Sequence, residues 1–242
     1  MIVLFTDFGL RGPYTGQMQA VLQRDAPGIP VVSLFADAPA SKSKACAYLL
    51  GAYATWFPPG AVLLCVVDPG VGSERRAVIA EADGRFYVGP DNGLFELVLR
   101  RAARRRLWEI AWTPSALSAS FHGRDLFAPV AARLARGDPA ERLGRPVDIV
   151  RCSDWPDDLA EIVYIDHYGN ALTGLRGDVV NPTAKLRAGG RVVAPARTFS
   201  AAPVGKICWY VNSNGLIEIA VNRGRADTML KLKIGSPVTI AD

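Results

Sequence analysis

The chain is poor in the residues that most often carry chemistry: two histidines in 242 residues, and four cysteines with no C-x-x-C pair among them. Cysteine spacing therefore offers neither a zinc site nor a thioredoxin-like redox motif. Cys46, Cys65 and Cys208 lie inside apolar stretches and read as small core residues. Long hydrophobic runs are missing too, since the longest, Ala61 to Val67, falls far short of a bilayer span. Met1-Ile2-Val3-Leu4-Phe5 enters a polar loop too soon to be a secretion signal, so a cytoplasmic protein with no membrane partner is expected. No Gly-Lys-Ser/Thr follows the glycine-bearing loop at 68–75, which removes the P-loop reading. There is no internal repeat or low-complexity tract.

What is present is ample for folding. Residues of hydrophobic type make up 50% of the chain, and a chain of this length buries about 70–75% of its unfolded surface, so neither disulfides nor a structural metal are needed. The net charge of +5 is modest but uneven. The run Arg100-Arg101-Ala102-Ala103-Arg104-Arg105-Arg106 closes a helical pattern, where cations suit the negative end of the helix dipole. As a nucleic-acid footprint it lacks the interleaved aromatics of a stacking platform, and no nucleic-acid partner is expected.

The first 150 residues alternate β-type runs (Ile2–Phe5, Val31–Leu34, Val62–Val67, Val78–Glu81) with helical patterns (Tyr14–Asp25, Ser43–Trp56, Phe95–Arg106, Ala128–Ala135). That alternation predicts an α/β domain over residues 1–152, with a mostly parallel central sheet. Beyond a polar, Pro-bearing connector the helical period vanishes. Glu161–Ile165, Arg191–Pro195, Lys206–Asn212, Leu216–Asn222 and Met229–Lys233 read as short strands, predicting a smaller β-barrel or sandwich over residues 159–242.

Four polar loops concentrate the chemistry. Thr6-Asp7-Phe8-Gly9 and Asp68-Pro69-Gly70-Val71-Gly72-Ser73-Glu74-Arg75 each follow an apolar strand-like run, the position where open α/β sheets bind ligands. Two glycines allow the second loop to curl until Arg75 pairs with Asp68; a plain structural turn is the competing explanation. His122, in Phe121-His122-Gly123-Arg124-Asp125, stands beside cations that lower its pKa and leave it neutral near pH 7. Asp68, Arg75 and His122 together have the makings of a water-activating group. Asp7 suits a ribose diol. Tyr87-Val88-Gly89-Pro90-Asp91-Asn92-Gly93 reads as an ordinary strand-to-helix turn. Asp166 and Asn170 of Asp166-His167-Tyr168-Gly169-Asn170, with the Asn212–Gly215 loop, suit a zwitterionic ligand or simply close hairpins.

Taken in order, Thr6–Gly9, Val67–Arg75, Gly89–Gly93, Phe121–Pro129, Asp166–Asn170 and Asn212-Ser213 through Asn222 resemble the S-adenosylmethionine hydrolases (SAM hydroxide adenosyltransferases), relatives of the fluorinase and chlorinase. The resemblance implies an α/β N-terminal domain, a C-terminal β-barrel and a homotrimer with active sites between subunits. It implies hydrolysis of S-adenosyl-L-methionine to adenosine and L-methionine, with no cofactor and no metal. Asp68, Arg75 and His122 match the family's water-activating trio, with either His122 or Asp68 as the base, and Asp7 matches its ribose carboxylate. Asp166 and Ser213 match positions holding the methionine amino and carboxylate groups. Asn170 and the Val221 backbone match adenine contacts, and Phe199 a ring that stacks on the base. Gly12, Ala36 and Gly174 depart from the family's usual aspartate, histidine and asparagine.

Two other readings share this scaffold. A halogenase would use the same leaving group, but Asp68 would repel a halide. A non-catalytic adenosine or S-adenosylmethionine sensor would keep Asp7, Asn170 and Phe199 and have no use for Asp68, Arg75 and His122.

Overall fold

Two sheets, each of seven strands, organise the chain. The structure, a computed structural model, describes residues 1–241, and these divide into two units, Met1–Cys152 and the residues from Ser153 onward. The first unit contains β1 (Ile2–Thr6), α1 (Tyr14–Asp25), β2 (Val31–Phe35), α2 (Ser43–Tyr53), β3 (Val62–Val66), β4 (Ala77–Ala82) and β5 (Arg85–Pro90). It continues with α3 (Glu96–Arg101), β6 (Arg105–Ile110), α4 (Ala128–Ala135) and β7 (Gly144–Pro146). The sheet order is β2-β1-β3-β5-β4-β6-β7.

The α/β class holds, but the sheet is mixed. The β2, β1, β3 and β5 neighbours run parallel, whereas β5, β4, β6 and β7 pair antiparallel. Every residue of β1 and β3 is buried, as expected for central strands covered on both faces. From β1 the chain crosses to β2 on one side and then to β3 on the other. The strand order therefore reverses between β1 and β3, and the loops leaving their carboxyl ends, which carry Asp7 and Asp68, flank that switch point.

The helix expected over Phe95–Arg106 stops at Arg101, and Arg105 and Arg106 belong to β6. The tight β4–β5 connection captures the chain there. Asp83 donates its backbone N–H to the Arg104 carbonyl at 2.9 Å and accepts from the Ala103 and Arg104 N–H groups at 3.3 and 2.9 Å. Arg106 then pairs with Glu81 and Arg100 with Glu96, so part of the basic run serves the fold.

Glu96 is a buried anchor. Its carboxylate accepts from Arg100, Arg151 and the Cys152 N–H, at 2.9, 2.9 and 3.1 Å, tying the last residues of this unit to α3. Burial acts to raise its pKa, yet the Cys152 N–H and the two guanidiniums together hold it below 4.5. With the folded value depressed, this contribution to stability is present above 4.5 and is lost as pH falls through the folded value. Glu96→Gln should destabilise the unit by about 1–3 kcal/mol near pH 7, measured by urea unfolding, with the difference from the parent shrinking at acidic pH.

The second unit holds β8 (Leu159–Ile165), β9 (Ala171–Arg176), β10 (Lys185–Ala188), β11 (Arg191–Pro195), β12 (Ile207–Val211), β13 (Leu216–Val221), α5 (Ala226–Leu230) and β14 (Val238–Ala241). The order β14-β10-β11-β12-β13-β9-β8 nearly closes into a barrel. Ile162 exchanges hydrogen bonds with Ser236 and Gly235 at 2.9 and 2.8 Å, bringing β8 to the chain that leads into β14. Trp209, Ile217, Ile219, Leu186 and Val193 fill the interior. Met229–Lys233, expected as a strand, is instead the end of α5 and the turn after it. Ala226 and Leu230, four apart, both enter the core, a helical spacing, and Asp227 receives the Thr228 N–H at 2.6 Å. Among the described residues no helix is long and apolar enough to cross a membrane.

Candidate active site

The loop after β3 folds back on itself. Ser73 Oγ donates to the Gly70 carbonyl at 2.7 Å, and Gly72 takes φ +80°, with a Cβ there placed 2.6 Å from the Ala119 carbonyl oxygen. A side chain is thus excluded at Gly72 on both conformation and space. The result is a fork: Arg75 Nε donates to Asp68 Oδ1 at 2.8 Å while Nη2 donates to Oδ2. The two side chains are 11% and 5% exposed, and the guanidinium lies over the Phe127 ring, 5.2 Å from its centroid.

His122 meets this pair from the turn preceding α4, with Nδ1 3.2 Å from Arg75 Nη2. A guanidinium can only donate, so Nδ1 is the acceptor in this contact and the proton of the neutral ring sits on Nε2. Burial first, and the Arg75 charge second, push the imidazole below its usual 6.5, against Asp68 and Asp125, which raise it. The adjacent Arg124, expected from the sequence to depress it, does not. Arg124 is committed to Asp125 at 2.6 and 3.0 Å and to Gln17 at 2.8 Å.

Asp7, at the end of the neighbouring β1, is half-buried and accepts the Ser41 N–H at 2.8 Å. Ser41 sits at φ +58°, a left-handed conformation that turns its N–H toward the carboxylate. Burial raises the Asp7 pKa above 3.8, the Ser41 bond and its own N–H oppose that, and the Asp68 charge adds to the rise. The two carboxylates on either side of the switch point thus sense one another.

The remaining candidates lie in the second unit. Asp166 and Asn170 close the β8–β9 turn: Asn170 donates its N–H and side-chain amide to the two carboxylate oxygens, at 2.8 and 3.1 Å. Asn170, Phe199 and Val221 line one cavity of about 1000 Å³ together with Tyr168, Val204 and Arg223. The Phe199 ring is half exposed and 6.4 Å from Tyr210. Ser213 is exposed on the β12–β13 hairpin, and neither it nor Asp166 lines that cavity.

Sequence reasoning missed what holds this hairpin. Glu218, buried in β13, accepts the Tyr210 hydroxyl and the Asn212 amide, the latter at 3.0 Å, and Asn212 in turn receives the Asn214 and Leu216 N–H groups. A single acid in the apolar run Leu216–Val221 was the available signal. Among the described residues no group of three or more His, Cys, Asp or Glu side chains could hold a metal ion.

Comparison with known proteins gives a consistent picture. Residues 2–144 match the SAM hydroxide adenosyltransferase N-terminal domain, and residues 160–239 the corresponding C-terminal domain. The (R)-S-adenosyl-L-methionine hydrolase of Thermus thermophilus is 42% identical over 257 residues, covering 99% of this chain and 98% of the relative. A fluorinase from Actinopolyspora mzabensis is 27% identical, over 76% of this chain and 78% of the relative. The crystal structure of an uncharacterized conserved protein from Thermotoga maritima superposes with a TM-score of 0.91 at 30% identity, covering 100% of both chains.

Proposed function

The chain belongs to the SAM hydroxide adenosyltransferase family, and we propose that it hydrolyses S-adenosyl-L-methionine to adenosine and L-methionine. The (R) configuration at sulfur follows the name of the Thermus thermophilus relative. The observation that carries this reading is the convergence of Asp68, Arg75 and His122 beside Asp7 at the switch point of the sheet.

In the proposed reaction a water oxygen bonds to the 5′ carbon as the C5′–S bond breaks. The bonding pair leaves on sulfur, which becomes a neutral thioether, and one water proton passes to the enzyme. Charge is annihilated along this path, so a dry pocket favours it over bulk water, where both charges would be separately hydrated. Asp7, Asp68 and Arg75 sum to one negative charge when His122 is neutral, complementary to the sulfonium. Of the two candidate bases, the geometry supports Asp68. His122 Nδ1 already faces Arg75 and Nε2 carries the proton, whereas a forked carboxylate retains free lone pairs. His122 then orients the water, and Arg75 stabilises the developing hydroxide. In-line placement contributes several kcal/mol, and a positioned base roughly 10²–10⁴-fold.

In the same reading Asp7 holds the ribose diol, Asn170, Phe199 and Val221 hold adenine, and Asp166 and Ser213 hold the methionine amino and carboxylate groups. Halogenation is disfavoured by the carboxylate at the nucleophile's position. A cytoplasmic location is supported by the four free thiols, three of them buried. A homotrimer with active sites between subunits is supported by the exposed Phe199, Val204 and Tyr168 around the cavity, which a neighbouring subunit would cover.

The test is incubation with separated (R) and (S) sulfonium epimers in oxygen-18 water. Adenosine labelled at its 5′ hydroxyl, unlabelled methionine and a preference for the (R) epimer are expected. Unlabelled adenosine, or no adenosine from either epimer, would discard the assignment.

A further inference from the structure

The turn Gly89-Pro90-Asp91-Asn92-Gly93 has no part in the reaction just described, yet its contacts reach both ends of the Asp68–Arg75 loop. The parallel β3–β5 ladder runs to Leu64 opposite Val88 and no further, because Pro90 has no N–H to donate. Gly89 keeps the strands close even so: a Cβ there would collide with the Cys65 carbonyl oxygen. Val67 is wholly buried, and its carbonyl accepts from Asn92 Nδ2 at 2.8 Å, so a side chain donates where the ladder has ended. Asn92 Oδ1 accepts the Leu94 N–H at 3.3 Å, an Asx turn that fixes which way the amide faces.

Asp91 does the same on the other stem. The antiparallel β4–β5 ladder pairs Ala77 with Pro90 and is extended by the Asp91 N–H to the Arg76 carbonyl at 3.0 Å. The Asp91 carboxylate also takes the Arg76 guanidinium, at 2.8 Å from Nε and 2.5 Å from Nη2. Val67 directly precedes Asp68, and Arg76 directly follows Arg75.

We infer that Asn92 and Asp91 are positioning residues that clamp both stems of the 68–75 loop, so that Asp68 and Arg75 meet as a fork and Arg75 reaches His122. Neither needs to touch substrate. The inference rests on the roles proposed above for Asp68, Arg75 and His122, and its test includes a readout independent of turnover.

Asn92→Asp keeps the size of the side chain and replaces the donor with a carboxylate oxygen facing the Val67 carbonyl. Asp91→Asn removes the charge opposite Arg76, on side chains 26% and 32% exposed, and leaves the core intact. Each should lower kcat by roughly tenfold to a hundredfold with KM held within about threefold, the pattern of a misaligned reacting group and not of lost binding. In parallel, the two histidines of the chain are titrated by NMR. The groups acting on His122 are Arg75, Asp68 and Asp125. Withdrawal of Arg75 should move the His122 midpoint up toward 6.5.

A loss of stability alone would lower the melting temperature without moving that midpoint. Parent-like kcat together with a parent-like His122 titration in both variants would overturn the clamp. If the parent shows no hydrolysis, the proposed function falls and the His122 midpoint still decides the clamp. If Asn92→Asp does not fold, Asp91→Asn carries both readouts.

Discussion

Arg75→Ala is expected to remove nearly all turnover and to weaken the N-terminal unit at the same time. With the guanidinium gone, Asp68 is left 5% exposed without its cation, and breaking a buried pair by deleting one partner costs about 3–5 kcal/mol. For a unit of this size each kcal/mol lowers the melting temperature by roughly 2–4 °C, so a fall on the order of 10 °C is expected by calorimetry. Turnover should fall by about 10²–10³-fold, the usual effect of deleting a preorganised donor. Arg75→Lys separates the two effects. An ammonium restores a charge beside Asp68 but cannot form the fork or reach His122 with a second donor, so stability should largely return while turnover does not. A variant with alanine that melts like the parent and turns over within tenfold of it would show that the pair is neither buried in the working enzyme nor part of the reaction.

Much of this fold was legible because its strongest signals are local. Tyr14–Asp25 repeats its apolar positions at helical spacing and forms α1 with the bounds the spacing predicts. Ile2–Phe5 and Val62–Val67 are unbroken apolar runs and form β1 and β3, strands buried at every residue. Errors arose where a distant partner decides. Nothing within Phe95–Arg106 announces that Asp83, some twenty residues upstream, will draw Ala103 and Arg104 into the sheet. Leu230-Lys231-Leu232-Lys233 alternates apolar and charged residues as a strand would, yet the core it meets takes Ala226 and Leu230 from one helical face.

The site shows the same division. Asp7, Asp68, Arg75 and His122 stand out as candidates because strand ends and glycine-bearing loops mark themselves in sequence, and the last three do meet in the folded chain. Their supports were not. Asn92 and Glu218 act through single hydrogen bonds to a carbonyl and to a hairpin that only the folded chain brings near them. Of the cations expected to depress His122, the one that acts is Arg75, 47 residues away in sequence but adjacent in space, while the neighbouring Arg124 turns to Asp125.

His122 supplies the other large effect, and its sign follows from the same contacts. Burial and Arg75 hold the folded pKa below 6.5, so the imidazole stays neutral down to a lower pH than an exposed histidine would. On the stability side, the unfolded chain binds the extra proton first. The His122 contribution is therefore complete above 6.5 and is lost as pH falls through the folded value. On the activity side, protonation places a hydrogen on Nδ1 facing a guanidinium, which drives the two groups apart and unmakes the fork. The acid limb of kcat/KM should accordingly lie below 6.5 and move upward in any variant that loosens Arg75. Asp7 also titrates on this side, raised from 3.8, and His122→Asn distinguishes the two. Its amide oxygen can accept from Arg75 as Nδ1 does but does not titrate, so the limb that remains belongs to a carboxylate. His122→Ala offers neither the acceptor for Arg75 nor the N–H that orients the water, and its turnover should fall by about 10²-fold while adenosine binding persists. Combining it with Asp68→Asn should cost little more than the worse single change, since groups that act as a unit are lost together. Additive losses, or an acid limb that stays in place in His122→Asn, would remove the imidazole from the reaction.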